Sequence, residues 1–204
     1  YCFRFKFIQL LSIRHCGICV DFEPKLGGKY TDLSIDLKAW GEKQKFTLEF
    51  NPNYSKFSIV RSLNIEGSTI ESAKNKMASL RFGTINTYYF DREKNIHLCQ
   101  TEDGELIRES NQNWNITAET KKIDSYDCYK ATLDITYLAR TGDSKTKTVI
   151  AWFAPILPYG FGPKGYNGLP GLILELQDQE TTYLAEKVEF QKSEKTIKIP
   201  KEKS

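Results

Sequence analysis

The chain has 204 residues, 40% apolar and 27% charged, a balance that supports one globular domain with a sizeable core and excludes a disordered tail. Its 29 basic and 26 acidic residues leave a formal charge of only +3. The two signs are interspersed, so there is no basic stripe for nucleic acid, and no apolar run approaches the about 20 residues that a membrane-spanning helix needs.

The chain opens with Arg4 and Lys6 ahead of an apolar run from Phe7 to Ile13. Two readings of residues 1–30 stay open, the remnant of an export signal or an atypical first segment, because Arg14 and His15 end the run and no small-residue cleavage site follows. Further on, Phe46, Leu48 and Phe50 alternate with polar residues, and beyond Asn51-Pro52-Asn53 so do Phe57 and Ile59. That pattern predicts a hairpin. A helix is expected over Thr69–Leu80, with Ser68 or Thr69 as N-cap, Ile70, Ala73, Met77 and Leu80 on one face and Gly83 past its end.

Short strands are then expected at Thr87–Phe90, Ile96–Gln100, Glu105–Glu109, Trp114–Ala118, Tyr126–Leu138, Lys147–Ala154, Leu172–Leu176, Thr182–Phe190 and Thr196–Ile199, separated by turn residues such as Glu102-Asp103-Gly104, Thr141-Gly142-Asp143 and Gln177-Asp178-Gln179. Many short strands with one modest helix predict a mainly β single domain, a curved antiparallel sheet or half-barrel. It is placed at residues 31–191. Residues 192–204, with Lys192, Lys195, Lys198, Lys201 and Lys203 against Glu194 and Glu202, read as a solvated basic tail.

On Tyr126–Leu138, Tyr129, Ala131, Leu133, Ile135 and Tyr137 share the face expected to join the core. Lys147–Ala154 is apolar on both sides, as in a central or curved strand, and Trp152 is expected to cover a second, smaller apolar surface. The chain must then leave the sheet and re-enter it at Leu172. Pro155 and Pro158 fix φ near about −65° and donate no ladder hydrogen bond, so this stretch reads as extended and unpaired. In Leu169-Pro170-Gly171 the order of Pro and Gly matches a type II turn, which would need positive φ at Gly171.

The segment Ala151-Trp152-Phe153-Ala154-Pro155-Ile156-Leu157-Pro158, the Gly162-Pro163 pair and above all Gly168-Leu169-Pro170-Gly171-Leu172-Ile173 resemble the signature of the GLPGLI family of Bacteroidetes envelope proteins. Trp114-Asn115-Ile116-Thr117, Glu119-Thr120-Lys121 and Cys128-Tyr129-Lys130-Ala131-Thr132 resemble that family's pattern too, so the likeness runs over roughly Lys45 to Leu176. It implies an exported, β-rich protein of the periplasm or outer-membrane surface, with no activity assigned and no catalytic residues to carry over. The first thirty or so residues depart from the pattern.

Site chemistry is sparse. Lys164 lies in a Gly-Pro-Lys-Gly stretch but lacks the spacing, the following Ser or Thr and the βαβ setting of a phosphate loop. Cys16 and Cys19 form a Cys-x-x-Cys beside His15, a spacing suited to metal or thiol-disulfide chemistry, and His97 and Cys99 project to one side of a strand and would complete such a site. Of the five cysteines, Cys99 and Cys128 are the most attractive pair for a bridge in an oxidising envelope. Ser58, Ser110 and Ser125 have no activating context, and Asp134 and Glu175 read as solvated.

No cofactor motif is present. The preferred reading is a non-catalytic envelope module that holds an apolar ligand or a partner protein, with Trp152, Phe153, Tyr159, Phe161 and Tyr166 as its contact surface or lid. The alternative is a metal- or thiol-redox-active protein using the Cys and His residues.

Overall fold

The computed structural model describes residues 5–15, 44–60, 85–139, 142–179, 181–192 and 197–200. The expected helix at Thr69–Leu80 and the Cys16/Cys19 pair lie outside these. The described residues form eleven strands: β1 (Phe5–His15), β2 (Lys45–Phe50), β3 (Tyr54–Ile59), β4 (Thr87–Asp91), β5 (Ile96–Gln100), β6 (Leu106–Glu109), β7 (Asn115–Ile123), β8 (Tyr126–Leu138), β9 (Ser144–Ala154), β10 (Leu172–Asp178) and β11 (Thr181–Lys192). A 3₁₀ turn, Pro163–Gly165, sits between β9 and β10. The protein is a mainly β, antiparallel single domain.

The strand order is β6-β5-β4-β3-β2-β1-β11-β10-β9-β8-β7. Two five-stranded halves, each a simple meander, therefore meet on β1, which pairs with β2 on one side and with β11 on the other. The apolar run Phe7–Ile13 is the middle of that central strand. Of the expected strand Thr196–Ile199, the described residues 197–199 are not in a strand. Instead Ile197–Pro200 flanks a groove beside Tyr54, Ile96 and Leu98 on the outer face.

The two outermost strands, β6 and β7, are joined by only the five residues 110–114, which span at most about 20 Å. A flat sheet of this many strands would separate its edges by roughly 48 Å. The sheet must curl, and it does so without closing: β6 and β7 do not pair among the described residues. The result is a half-barrel with a seam.

Its inner face carries the core. Cross-strand partners place Phe46 opposite Ile59, Leu48 opposite Phe57, Phe57 opposite Tyr88, Ala131 opposite Ala151, Ala151 opposite Leu176 and Leu176 opposite Tyr183. Aromatic rings fill the middle: Phe46 stacks on Phe57, and Tyr183 meets both edge-on. On β8, Ala131 and Leu133 are buried while Tyr129 and Tyr137 are exposed, and the strand outruns the core at its end near Tyr137 and Leu138.

Candidate functional site

Residues 155–171 turn back into the half-barrel. Leu157 N donates to Ala154 O, so Pro155 opens a β-turn; the expected unpaired extended run is not observed, since Leu157 O also accepts from Leu172 N. Phe161 is fully buried against Phe50 and Phe90. Positive φ falls on Gly168 (+93°), not on Gly171 as the type II reading expected. Gly171 is required for another reason, because a Cβ there would land on the Ala154 carbonyl oxygen.

The loop seals the seam. Gln112 Nε2 donates to Gly165 O and Asn167 N donates to Gln112 Oε1, both at 2.9 Å. Trp114 Nε1 donates to Asn167 O at 2.9 Å. These bonds tie the loop to the connector that joins the two sheet edges.

Beneath the seal lies a cluster of charge. Asp178 Oδ1 accepts from Lys147 Nζ at 2.6 Å, and Asp178 Oδ2 accepts from Lys164 Nζ and from the Tyr166 hydroxyl, each at 3.1 Å. The Asp178 side chain is only 4% exposed, while the lysines remain 23% and 17% exposed toward the cleft above. Burial alone would raise the Asp178 carboxyl, but Lys164 and Lys147 outweigh it and hold it below its ordinary value. Burial first, and Asp178 second, pushes the Tyr166 hydroxyl far up, so it stays a donor.

Lys164 reaches this position from a left-handed backbone, φ 52° and ψ 36°, which costs a non-glycine residue about 1–2 kcal/mol. Gly165 follows at φ +72°, and a Cβ there would come within 2.7 Å of Glu109 Oε2 and 3.0 Å of the Tyr88 ring. Glu109 thus packs directly on Gly165. Burial pushes its carboxyl up against the opposing pull of Lys164 and Lys147.

Tyr88, Glu109, Asp134, Lys147, Lys164 and Tyr166 are among the residues lining a cleft of about 560 Å³ at the seam, with Ser110–Asn113 on its rim. That volume lies within the span of small-molecule sites. The cleft offers ammonium, carboxyl, phenol and amide groups to one ligand.

The five aromatics expected to form one contact surface are divided. Phe153 and Phe161 are core, Tyr159 leans on Phe50, and Tyr166 is buried with its hydroxyl on Asp178. Trp152 lies on the outer face under Lys121 Nζ, 4.4 Å from the ring centroid. Of Gly168–Ile173, Leu169, Gly171, Leu172 and Ile173 are buried.

His97 and Cys99 do share the inner face of β5, but the His97 ring packs on Phe90 at 4.3 Å with Nδ1 3.4 Å from Gly165 O. Among the described residues no group of three or more His, Cys, Asp or Glu could hold a metal. Cys99 and Cys128 are both free, so the expected bridge is not made. They belong to different halves of the sheet, Cys99 on the inner face opposite Tyr88 and Cys128 opposite Lys121 on the outer one. Burial raises the Cys99 thiol and pushes Cys128 up to about 11, which disfavours the reactive thiolate. Asp134 accepts from Thr148 and Glu175 pairs with Lys121, so these two carboxylates do not meet.

A family model described as "Protein of unknown function (Porph_ging)" matches residues 139–175, which span β9, the buried loop and most of β10. Two solved structures of PNGF-II, in C2 and P21 space groups, are 15% and 16% identical, with TM-scores of 0.51 and 0.48; the match covers 93% of this chain and 28% and 29% of those chains. The chain thus spans a little over a quarter of their length, and likeness at this identity extends to the fold alone. No curated protein matches.

Proposed function

We propose that this chain is a non-catalytic binding module of the Bacteroidetes cell envelope, of the GLPGLI kind and exported to the periplasm or outer-membrane surface, with its ligand site in the seam cleft. The observation that carries the reading is the cleft itself, where polar groups from β4, β6, β9, β10 and the 3₁₀ turn converge. Desolvating Lys147, Lys164 and Asp178 costs more than an apolar core of the same volume would. Holding Lys164 in a left-handed conformation adds to that cost. Such costs are retained where they serve a site.

The ligand is polar and not apolar, because Phe153 and Phe161 are spent on the core and the seam cleft is lined mostly by charged, amide and hydroxyl side chains. The test is native mass spectrometry of protein isolated from its own envelope. A small-molecule adduct is expected on the natural chain and lost from Asn111→Trp, which fills the cleft from its exposed rim. An adduct that persists in well-folded Asn111→Trp, or a bare mass for the natural chain, would overturn the assignment.

A further inference from the structure

The placement of charge in the cleft narrows the ligand further. An ammonium group has three donors. Asp178 takes one from Lys147 and one from Lys164, and Tyr166 takes only a long contact of 3.5 Å from Lys147. Asp178, its side chain only 4% exposed, lines the cleft together with the two lysines, which are 23% and 17% exposed. An incoming ligand therefore meets more ammonium than carboxylate at this point. One of their charges is offset by Asp178; the other faces Glu109 across the same space.

We infer that the seam cleft takes a compact oxyanion, seated between Lys147 and Lys164, and that Glu109 gains a proton from solvent as the anion binds. This rests on the cleft reading above. By formal charge the cleft sets Lys147 and Lys164 against Asp134, Glu109 and Asp178; an ionised Glu109 repels the anion, whereas a protonated one brings the lining to balance and its carboxyl hydrogen can be donated to the ligand.

Titratable groups face Glu109 from every side, so the Glu109→Gln variant is what assigns the proton to it. From β5 it is faced by His97, which burial lowers, and by Cys99, which burial raises. From β4 comes Tyr88, and from the loop Tyr166; burial raises both hydroxyls. Lys164 of the 3₁₀ turn and Lys147 of β9 supply the positive field, Asp178 of β10 is held ionised between them, and Asp134 of β8 stands on the rim bonded to Thr148.

Sulfate is the probe of choice because its charge stays fixed over the pH range used. Isothermal titration calorimetry of the full chain with sulfate, at about pH 5.5 and about pH 8 in buffers of different ionisation enthalpy, reads affinity and proton uptake together. One coupled proton allows up to about tenfold change in affinity per pH unit, so binding several-fold tighter at the acid value is expected, with net proton uptake. Glu109→Gln should bind with the tighter affinity at both values and take up no proton. Lys147→Met should weaken sulfate binding, whereas Lys121→Met on the outer face should not.

Equal affinity at both pH values without proton uptake, or a pH step surviving in Glu109→Gln, would overturn the inference. A natural adduct that Asn111→Trp removes, together with no sulfate binding at either pH, would leave the cleft a binding site and refute the oxyanion. Loss of both results would remove the site itself.

Discussion

Asp178 is the residue on which the cleft depends, since it is the counter-charge for two lysines and the acceptor for a buried phenol. Replacing it by Asn keeps the volume but removes the carboxylate that both ammoniums share, and breaking a buried pair in this way costs about 3–5 kcal/mol. Urea unfolding of Asp178→Asn should show that loss; an unchanged midpoint would mean that the lysines are solvated and the cluster is not cohesive. The pH dependence has a definite sign. A carboxyl held below its ordinary value stabilises the fold above the ordinary carboxylate range and loses that contribution as pH falls through the lowered value. The acid limb of stability should therefore flatten in Asp178→Asn. Glu109, pushed up, acts in the opposite sense, opposing folding as pH rises past its ordinary value. These residues were half legible in the sequence. Lys147 is in phase with inward Val149 and Ala151, and Asp178 with Leu176, so each is a charge in an apolar register. Asp178 instead reads as a turn residue beside Gln179, because the end of a strand is not marked by composition. Glu109 and Lys164 converge only through the curl of the sheet, which period-two alternation does not encode.

At the scale of elements, the Gly- and Pro-rich loop was legible as a special segment but not in its geometry. Prolines and glycines announced that the chain leaves the sheet; the same residues would serve an exposed lid or a buried plug, and aromatic side chains would suit both. Burial of Phe161 and Tyr166 decides for the plug. The glycines then have distinct duties: Gly168 provides a left-handed bend, whereas Gly171 lets β10 start hard against the backbone of Ala154 and Pro155. Gly171→Ala should thus act as overpacking, at about 1–3 kcal/mol, because backbone cannot move aside as a flexible side chain would. Thermal unfolding would reveal it, and a neutral effect would show that the loop and β9 slide freely. By contrast, strands such as Ile96–Gln100 and Tyr126–Leu138 match the bounds expected from alternation, since a half-buried sheet face imposes period two directly.

For the described residues as a whole, the decisive feature is that their first and last strands meet at the centre of the sheet, a pairing that sequence reading missed. In the sequence, residues 5–15 leave open both an export-signal remnant and an atypical first segment, because a central strand and a signal share the same composition, a short apolar run next to basic residues. Local pattern carries no information on which distant strand a segment will join, and Phe7 of β1 lies opposite Phe50 and Phe190, 43 and 183 residues away. This architecture makes the two five-stranded halves depend on one strand. Gln9 faces Leu48 on one side and Val188 on the other, and a proline there removes a ladder hydrogen bond in a position with no free edge. Gln9→Pro should cost about 3 kcal/mol or more and divide the single unfolding transition into two, as β2–β6 and β7–β11 lose their common support. Hydrogen exchange would then report different opening free energies for Leu48 and Leu176, which in the natural chain should open together. A proline variant that unfolds as one unit with its midpoint unchanged would show that the halves cohere through the core and the plugged seam, and that β1 is an accessory to the sheet instead of its spine.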